Sequence, residues 1–144
     1  MEAKNILISG TAATSVMTAF SYLLSEGGKK NYREPELLAS LLANRWPAHQ
    51  KRHALPAGIA VHYALGVLWA MAHALALEKI PLKPKPGAAL LLGSFSGITG
   101  VIIWRMLFKS NPQPPKIDYQ AFYLHMFFAQ LIFTSTVLMF LKNR

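Results

Sequence analysis

Four long runs of uncharged residues dominate the pattern of polar and apolar positions along the chain. They cover residues 5–25, 54–77, 86–104 and 119–141, with lengths of 21, 24, 19 and 23 residues. All 15 Lys and Arg residues and all six Asp and Glu residues lie outside them. A water-soluble helix would carry charges on its outer face, whereas about 20 apolar residues suffice to cross a bilayer. The pattern therefore predicts an all-α fold in which four transmembrane helices form a single membrane domain over residues 1–144.

The connection between the first two runs contains one further helical pattern, at about residues 35–46. Pro35 is typical of a helix start. Four leucines then fall on one face of that helix: Leu37, Leu38, Leu41 and Leu42. The segment is too short to span a bilayer, and it ends in Arg45 and Trp46, which favour the membrane interface. We therefore expect an interfacial amphipathic helix on the membrane surface.

The prolines predict how the helices are joined. Each of the nine prolines lies between the runs or in the first turn of one, so no helix interior is interrupted. The connections between the second and third runs, and between the third and fourth, are short and rich in proline. We therefore expect both pairs to be antiparallel neighbours.

The composition narrows the class of partner. Hydrophobic residues make up 53% of the chain and charged residues 15%, and the net charge is +9. Nucleic-acid binding would require the basic residues to line one solvated face, but here they flank apolar runs. Anionic lipid headgroups attract such residues by roughly 1 kcal/mol each, so we expect a bilayer with anionic headgroups and no nucleic acid as the partner. Because the chain has no Cys, disulfides and thiolate metal sites are excluded.

Small residues predict where the helices pack. Helices in lipid associate through close backbone approach rather than hydrophobic burial. On a helical wheel, Gly93, Gly97 and Gly100 share one stripe of the third helix. Gly10 in the first helix, and Gly58 and Gly66 in the second, mark corresponding faces. These stripes predict packing within the chain or with other chains, as in a homo-oligomer or a larger membrane complex.

Ionisable residues within or at the ends of the predicted transmembrane helices indicate one cluster of polar side chains. The second and fourth helices run in the same direction, and His62 and His125 fall at similar depth in them. Arg105 ends the third helix and Glu26 ends the first at that same membrane face. Because ionisable residues inside a membrane are costly and often functional, we expect His62, His125, Arg105 and Glu26 to form one site. His73 lies about 16 Å further along its helix than His62, too far to share a metal.

Motifs for catalysis and metal binding are absent from the sequence. It contains no phosphate loop, nucleophile elbow or HExxH motif. His49 and His53 have the spacing of a zinc pair, but they flank Lys51 and Arg52 with no carboxylate near, so we predict no metal there. An enzyme is not favoured. Haem b held by His62 and His125 stays open as the one cofactor alternative.

From His62 onward the chain resembles the small bacterial inner-membrane proteins of the YagU family. The resemblance rests on short motifs in a little over half of the chain: His62 with Gly66, then Glu78, Pro81 and Lys83 in a turn, Gly93, the Pro114–Pro115 loop, and His125. It implies a multi-pass protein of the bacterial inner membrane. It implies no activity, because none is established for the family.

Two classes of function fit these patterns. The first is a noncatalytic structural or accessory subunit that acts through helix–helix contacts. The alternative is a small transporter or proton-responsive protein that uses the polar cluster of His62, His125, Arg105 and Glu26. Bis-histidine haem binding and a lipid-modifying enzyme are further alternatives.

Overall fold

A computed structural model describes residues 2–80 and 86–142 of the chain. In the described residues it contains five α-helices: α1 (Ala3–Gly28), α2 (Glu34–Ala43), α3 (Ala54–Lys79), α4 (Pro86–Ser110) and α5 (Tyr119–Lys142). A short 3₁₀ helix, Ala48–His53, leads directly into α3. Residues 81–85 between α3 and α4, which include Pro81 and Lys83, lie outside the described part.

Helices α1, α3, α4 and α5 are each long and apolar enough to cross a membrane. No strand occurs in the part of the chain that the structure describes. The prediction of an all-helical fold with four membrane-spanning helices is therefore confirmed at this level. Their outward faces expose large apolar side chains such as Leu68, Phe95 and Met139, as a surface in contact with lipid would.

The helix ends follow from local residue chemistry. Two glycines close α1, and the next residue, Lys29, adopts a left-handed conformation with φ of 51°, a usual way to stop a helix. Pro86 opens α4, where its missing N–H costs no hydrogen bond. Asp118 caps α5, because its Oδ1 accepts a hydrogen bond from the Ala121 N–H at 3.0 Å.

The long helices pack with α1 between α3 and α5, and α4 packs against α5. Helices α3 and α4 make few direct contacts, although they follow each other in the chain. Cavities lie between them instead, lined from both sides by residues such as Trp69 and Leu92. The expectation that the second and third transmembrane helices pack as neighbours is therefore wrong, because a short connection limits only the separation at one end.

The surface position expected for α2 is not confirmed. Six of its ten residues are buried, and it packs against α3. Its leucines join an apolar core with side chains from α4 and α5, formed by Leu37, Leu38, Leu41, Trp104, Phe108, Phe122 and Met126. A surface helix would present these leucines to lipid, whereas here they fill the protein interior. Helix α2 is therefore an internal cap at one end of the bundle.

Three glycines allow α1 and α2 to pack closely against α3. A Cβ at Gly66 would overlap the Thr14 hydroxyl of α1, and a Cβ at Gly10 would lie 2.8 Å from the Val67 Cα. A Cβ at Gly58 would lie 2.5 Å from the Pro35 carbonyl oxygen of α2. Real Cβ atoms do not tolerate such distances, so α3 can approach α1 and α2 this closely only with glycine at these positions.

Two glycines of α4 lie against α5. A Cβ at Gly93 would meet the Leu131 side chain at 2.8 Å, and one at Gly97 would meet the Phe127 ring at 2.8 Å. Gly100 is less crowded, because the nearest atom to its Cβ would be 3.6 Å away. The stripe thus faces a helix of the same chain, with the tightest approach at its first two glycines.

Candidate functional site

A buried carboxylate lies at the start of α2. Glu34 is only 1% exposed. Its Oε1 accepts a hydrogen bond from the Ser21 hydroxyl of α1 at 2.7 Å and lies 3.2 Å from His125 Nε2 of α5. Its Oε2 has no hydrogen-bond partner among the described residues. Three helices therefore meet at one carboxyl group, far from bulk solvent.

The partner of this carboxylate, His125, is held between two aromatic rings. Phe20 and Tyr32 stack on its imidazole, with ring centroids 5.4 and 4.5 Å away. Its Nε2 is 2.9 Å from the Ser21 hydroxyl, and its Nδ1 has no hydrogen-bond partner in residues 2–80 and 86–142. The stacking fixes the ring plane, so the imidazole presents Nε2 to Ser21 and Glu34 together.

The second predicted histidine, His62, contacts the same helix one turn away. Its Nε2 is 2.9 Å from the Thr18 hydroxyl of α1. Thr18 and Ser21 are three residues apart, a rise of about 4.5 Å, so α3 and α5 each bring a histidine to neighbouring positions on α1. His62 also lies within electrostatic reach of Glu34. Glu34, the two histidines and these two hydroxyls make up a polar region along α1, in which His125 contacts Glu34 and Ser21 while His62 contacts Thr18.

The other two predicted members lie outside this region. Glu26 has 70% of its side chain exposed and is 3.8 Å from Arg33. Arg105 is also exposed, beside the buried Trp104. Successive helical residues differ by about 100° in direction, so the neighbours of a buried side chain point elsewhere. The placement of Glu26 and Arg105 in the cluster is corrected accordingly.

Glu34 takes the acidic role that the sequence pattern assigned to Glu26. The available signal was its spacing: Glu34, Leu37, Leu38 and Leu41 follow the i, i+3, i+4, i+7 pattern of one helix face. A carboxylate that continues an apolar stripe is either at the edge of that stripe or buried with it. Burial of the whole stripe in the protein placed Glu34 inside.

The remaining buried histidine forms a separate contact deeper in the bundle. His73 Nδ1 bonds to the Trp69 carbonyl oxygen at 2.7 Å, and its Nε2 lies 3.2 Å from the Thr134 hydroxyl of α5. Thr134 in turn is 3.3 Å from the Ser96 hydroxyl of α4. An apolar cleft of about 320 Å³ lies beside His73, between α3 and α4. Hydrogen bonds of this kind between helices are common in membrane bundles and help to hold the helices together.

A cleft of about 80 Å³, open to the outside between α3 and α4, adjoins the polar region. Each of the five helices contributes to its wall, and its polar lining comes from Glu34, His62 and Gln130. Gln130 of α5 is 6% exposed, and its Oε1, like Oε2 of Glu34, has no hydrogen-bond partner in the described part of the chain. Trp69 and Trp104 form part of the apolar wall. Both oxygens are themselves fully buried, so the surface that the cleft presents is mainly apolar and aromatic.

The polar region brings one carboxylate and one imidazole into contact. Across the described residues, no group of three His, Asp or Glu side chains could hold a metal ion. Haem ligation by His62 and His125 stays a prediction; Nε2 of each histidine lies 2.9 Å from a hydroxyl of α1, that of Thr18 or that of Ser21. A carboxylate and an imidazole in contact, by contrast, can exchange a proton directly.

Neither a protein-family model, nor a curated protein, nor a solved structure matches this chain. The resemblance to the YagU family therefore stays a prediction. The contacts and burial of the polar region are the basis on which its chemistry can be inferred.

Proposed function

We propose that this multi-pass membrane protein is proton-responsive, and that the pair formed by Glu34 and His125 takes up and releases the proton. The observation that supports the proposal is the 3.2 Å contact between Glu34 Oε1 and His125 Nε2, with both side chains at most 2% exposed. This is the alternative function inferred from the sequence, with Glu34 in place of Glu26 and Arg105.

The charge of the pair explains why it would respond to pH. With one proton shared between the two groups, the pair is neutral overall, either as carboxylate and imidazolium or as carboxylic acid and imidazole. A second proton leaves one buried positive charge, and loss of the shared proton leaves one buried negative charge. Burying an uncompensated charge costs several kcal/mol. The packed state is therefore most stable while the pair holds a single proton.

Helix α2 is the element that would move. Glu34 is its first residue, so the pair fastens the start of α2 to α1 and α5. His125 contacts Glu34 directly, and Tyr32 stacks on His125. The other titratable or charged groups within electrostatic reach are His62 from α3 and Tyr22 from α1, and Arg33 precedes Glu34 in the chain. A charge imbalance at the pair weakens this fastening, and we expect α2 to loosen from the bundle.

The accessory-subunit hypothesis has less support from particular contacts. Gly10, Gly58, Gly66, Gly93 and Gly97 all lie against other helices of this same chain. These small residues are therefore used within the bundle, and the cluster offers the more specific chemistry. Residence in a bacterial inner membrane with anionic headgroups is part of our proposal, on the family resemblance and the basic connections.

The test measures how readily α2 opens as the pH changes. The chain has no Cys, so a single cysteine in place of the buried Leu38 reports its own accessibility to a maleimide. The labelling rate is divided by that of Lys116→Cys, an exposed position, to remove the intrinsic pH dependence of thiol reactivity. We expect the ratio to rise on acidification, and His125→Gln, which removes the base that takes up the second proton, to abolish this rise. Glu34→Gln should instead remove the rise expected in alkali, because no buried negative charge can then form.

Glu26→Gln is the matched control, because it neutralises an exposed carboxylate and should leave the pH dependence unchanged. A second readout follows the His125 imidazole by NMR, with His125→Gln for assignment. If Glu34→Gln alters neither the His125 titration nor the labelling ratio, the pair is not the proton-responsive group and the proposal is wrong.

A further inference from the structure

The apolar cleft of about 320 Å³ beside His73 opens sideways between α3 and α4. Helix α3 lines it from Trp69 to Ile80, and α4 lines it from Leu91 to Phe95. Leu91 and Phe95 at its edge are 60% and 66% exposed. Because both helices are long and apolar enough to cross a membrane, the cleft opens toward lipid rather than toward water.

The walls of this cleft are almost entirely apolar. His73 is the one titratable side chain among the described residues that line it, and both of its ring nitrogens have partners. Its Nδ1 lies 2.7 Å from the Trp69 carbonyl oxygen, and its Nε2 lies 3.2 Å from the Thr134 hydroxyl. A water molecule needs two to four polar partners, so this lining favours an apolar occupant.

The length of the cleft matches one half of a membrane. Trp69 lies near the middle of α3 and Ile80 directly follows its last residue, so the α3 wall is about 16 Å long at a rise of about 1.5 Å per residue. On α4 the wall ends at Phe95, about 14 Å from the start of the helix at Pro86. Half of the hydrocarbon core of a bilayer is about 15 Å thick. The cleft therefore has the depth that a lipid chain of one leaflet occupies.

A helix is too wide to enter the cleft. A helix with its side chains is about 10 Å across, so a 16 Å length of it fills on the order of 1,000 Å³, whereas the cleft holds about 320 Å³. A single hydrocarbon chain is far thinner, and such chains are the solvent around these helices. Size and surroundings therefore favour a lipid chain over a helix from a second copy or from another protein.

A basic residue lies where the cleft reaches the membrane surface. Lys79 is exposed and follows Ala72 of the cleft by seven residues, or about two helical turns, so both lie on one face of α3. A lysine at the membrane surface attracts the phosphate of an anionic headgroup. A phospholipid whose chain lies in the cleft would carry its phosphate at the level of Lys79.

We propose that the apolar cleft binds one acyl chain of an anionic phospholipid, from the leaflet on the opposite side of the membrane from α2, with the phosphate beside Lys79. The chain would lie along α3 and α4, with its end near Trp69 and Phe95. Burial in the protein gives an acyl chain no hydrophobic gain over the bilayer, so the preference comes from the fit between the walls and from the charge of Lys79. The site uses neither Glu34 nor His125, so it goes beyond the proposed function and does not depend on it.

The experiment maps where a lipid chain contacts the full chain in a bilayer. The protein is reconstituted into phosphatidylcholine vesicles that contain a small fraction of phosphatidylglycerol with a photoactivatable diazirine near the end of one acyl chain. Mass spectrometry then identifies the labelled residues. We expect the label to concentrate on Trp69, Ala72 and Phe95 in the cleft, above its level on exposed residues outside it such as Met71 and Phe128.

Ala72→Phe tests whether the label depends on the cleft. Ala72 is exposed and lines the cleft, so a phenyl ring there should occupy the space without displacing packed side chains. It should lower the labelling of Phe95 several-fold and leave the labelling of Met71 unchanged. Ala64→Phe is the matched control, because Ala64 is an exposed alanine of the same helix that lines neither cleft between α3 and α4. If Ala72→Phe does not fold, Ala72→Leu provides a smaller obstruction and should give a smaller loss of label.

Lys79→Gln tests the contact with the phosphate. Labelling of Phe95 by the phosphatidylglycerol probe is compared with labelling by a diacylglycerol that carries the same chains and no phosphate. Lys79→Gln should lower the first about fivefold and leave the second unchanged. Lys4→Gln, which neutralises an exposed lysine of α1 on the same side of the membrane, should change neither.

Three results would contradict the proposal. Label spread evenly over the outward-facing residues, or label in the cleft that Ala72→Phe does not lower, would overturn the acyl-chain site. Rapid and complete formation of disulfide-linked dimers by Phe95→Cys in vesicles would also overturn it, because a second copy of the chain would then cover the cleft. Equal labelling by the two probes, unchanged in Lys79→Gln, would overturn the phosphate contact.

Discussion

The same pairing of opposite charges has different consequences at different depths in this protein. Glu34 and His125 meet in the interior, where any change in their joint charge is costly. Lys30 and Asp118 form a 2.8 Å ion pair whose side chains are roughly half exposed. Water and salt screen the second pair, so it contributes little to stability. Burial, rather than residue type, decides which pair can control a conformational change.

The exposed pair predicts a small stabilisation that is lost at both ends of the pH range, because both partners must be charged. The hydrogen bond from Lys30 lowers the pKa of Asp118, and the same bond raises the pKa of Lys30. The stabilisation is therefore present at neutral pH and is lost as the pH falls through the lowered pKa of Asp118. Asp118→Asn should reduce the melting temperature slightly at neutral pH, and the difference from wild type should vanish in acid.

Asp118→Ala is the companion variant, because it also removes the cap on the Ala121 N–H. It should lower the melting temperature by more than Asp118→Asn, and the excess should persist at all pH values. Equal effects of the two variants would contradict the capping role.

A single glycine sets the distance between the helices α1 and α3. Gly66 of α3 lies directly against Thr14 of α1, whose hydroxyl donates to the Gly10 carbonyl oxygen of its own helix at 2.7 Å. The helix contact thus depends on the absence of a side chain on one partner and a folded-back side chain on the other. Such contacts replace the hydrophobic effect as the source of helix association in lipid.

Gly66→Ala should destabilise the protein because its Cβ would overlap the Thr14 hydroxyl. We expect a loss of about 1–3 kcal/mol in the free energy of unfolding, the usual cost of overpacking, measured by denaturant titration in mild detergent. Gly87→Ala is the control, since a Cβ there meets nothing within 4 Å among the described residues.

The double variant Thr14→Ala with Gly66→Ala tests the proposed cause. Removing the Thr14 hydroxyl removes the overlap, so it should recover part of the lost stability. Without any recovery, the cost of Gly66→Ala would have to lie elsewhere than in this contact.

Because four helices of the chain can each cross the membrane, successive connections between these helices lie on alternating sides of it. The segment between α1 and α3, which includes α2, lies at the same end of the bundle as the connection between α4 and α5. Asn44 bonds to the Asn111 side chain and to the Gln113 carbonyl oxygen across these two connections. The cap and the polar region are therefore on one side of the membrane.

This arrangement predicts the labelling of single cysteines introduced into the Cys-free chain. With an impermeant maleimide, Lys109→Cys and Lys116→Cys should react from one side, and Lys79→Cys only from the other. Labelling of the three from the same side would contradict four spans.

The four helices that can cross a membrane, and their approximate limits, follow from the distribution of charge along the chain. The stretches without charge are long enough to cross a bilayer, and water would not tolerate so much exposed apolar surface. The same information identified His62 and His125 as polar residues at similar depth, because position along a helix converts directly into distance.

What lies between the helices follows from how all five of them pack together. The sequence cannot tell whether the apolar face of a short helix meets lipid or protein, since both surroundings are apolar. That α2 packs inside depends on the space left where α3 and α4 separate, which is a property of all the helices together. This packing buried Glu34 and left Glu26 exposed, because the burial of a charge depends on what packs over it rather than on its own place in the chain.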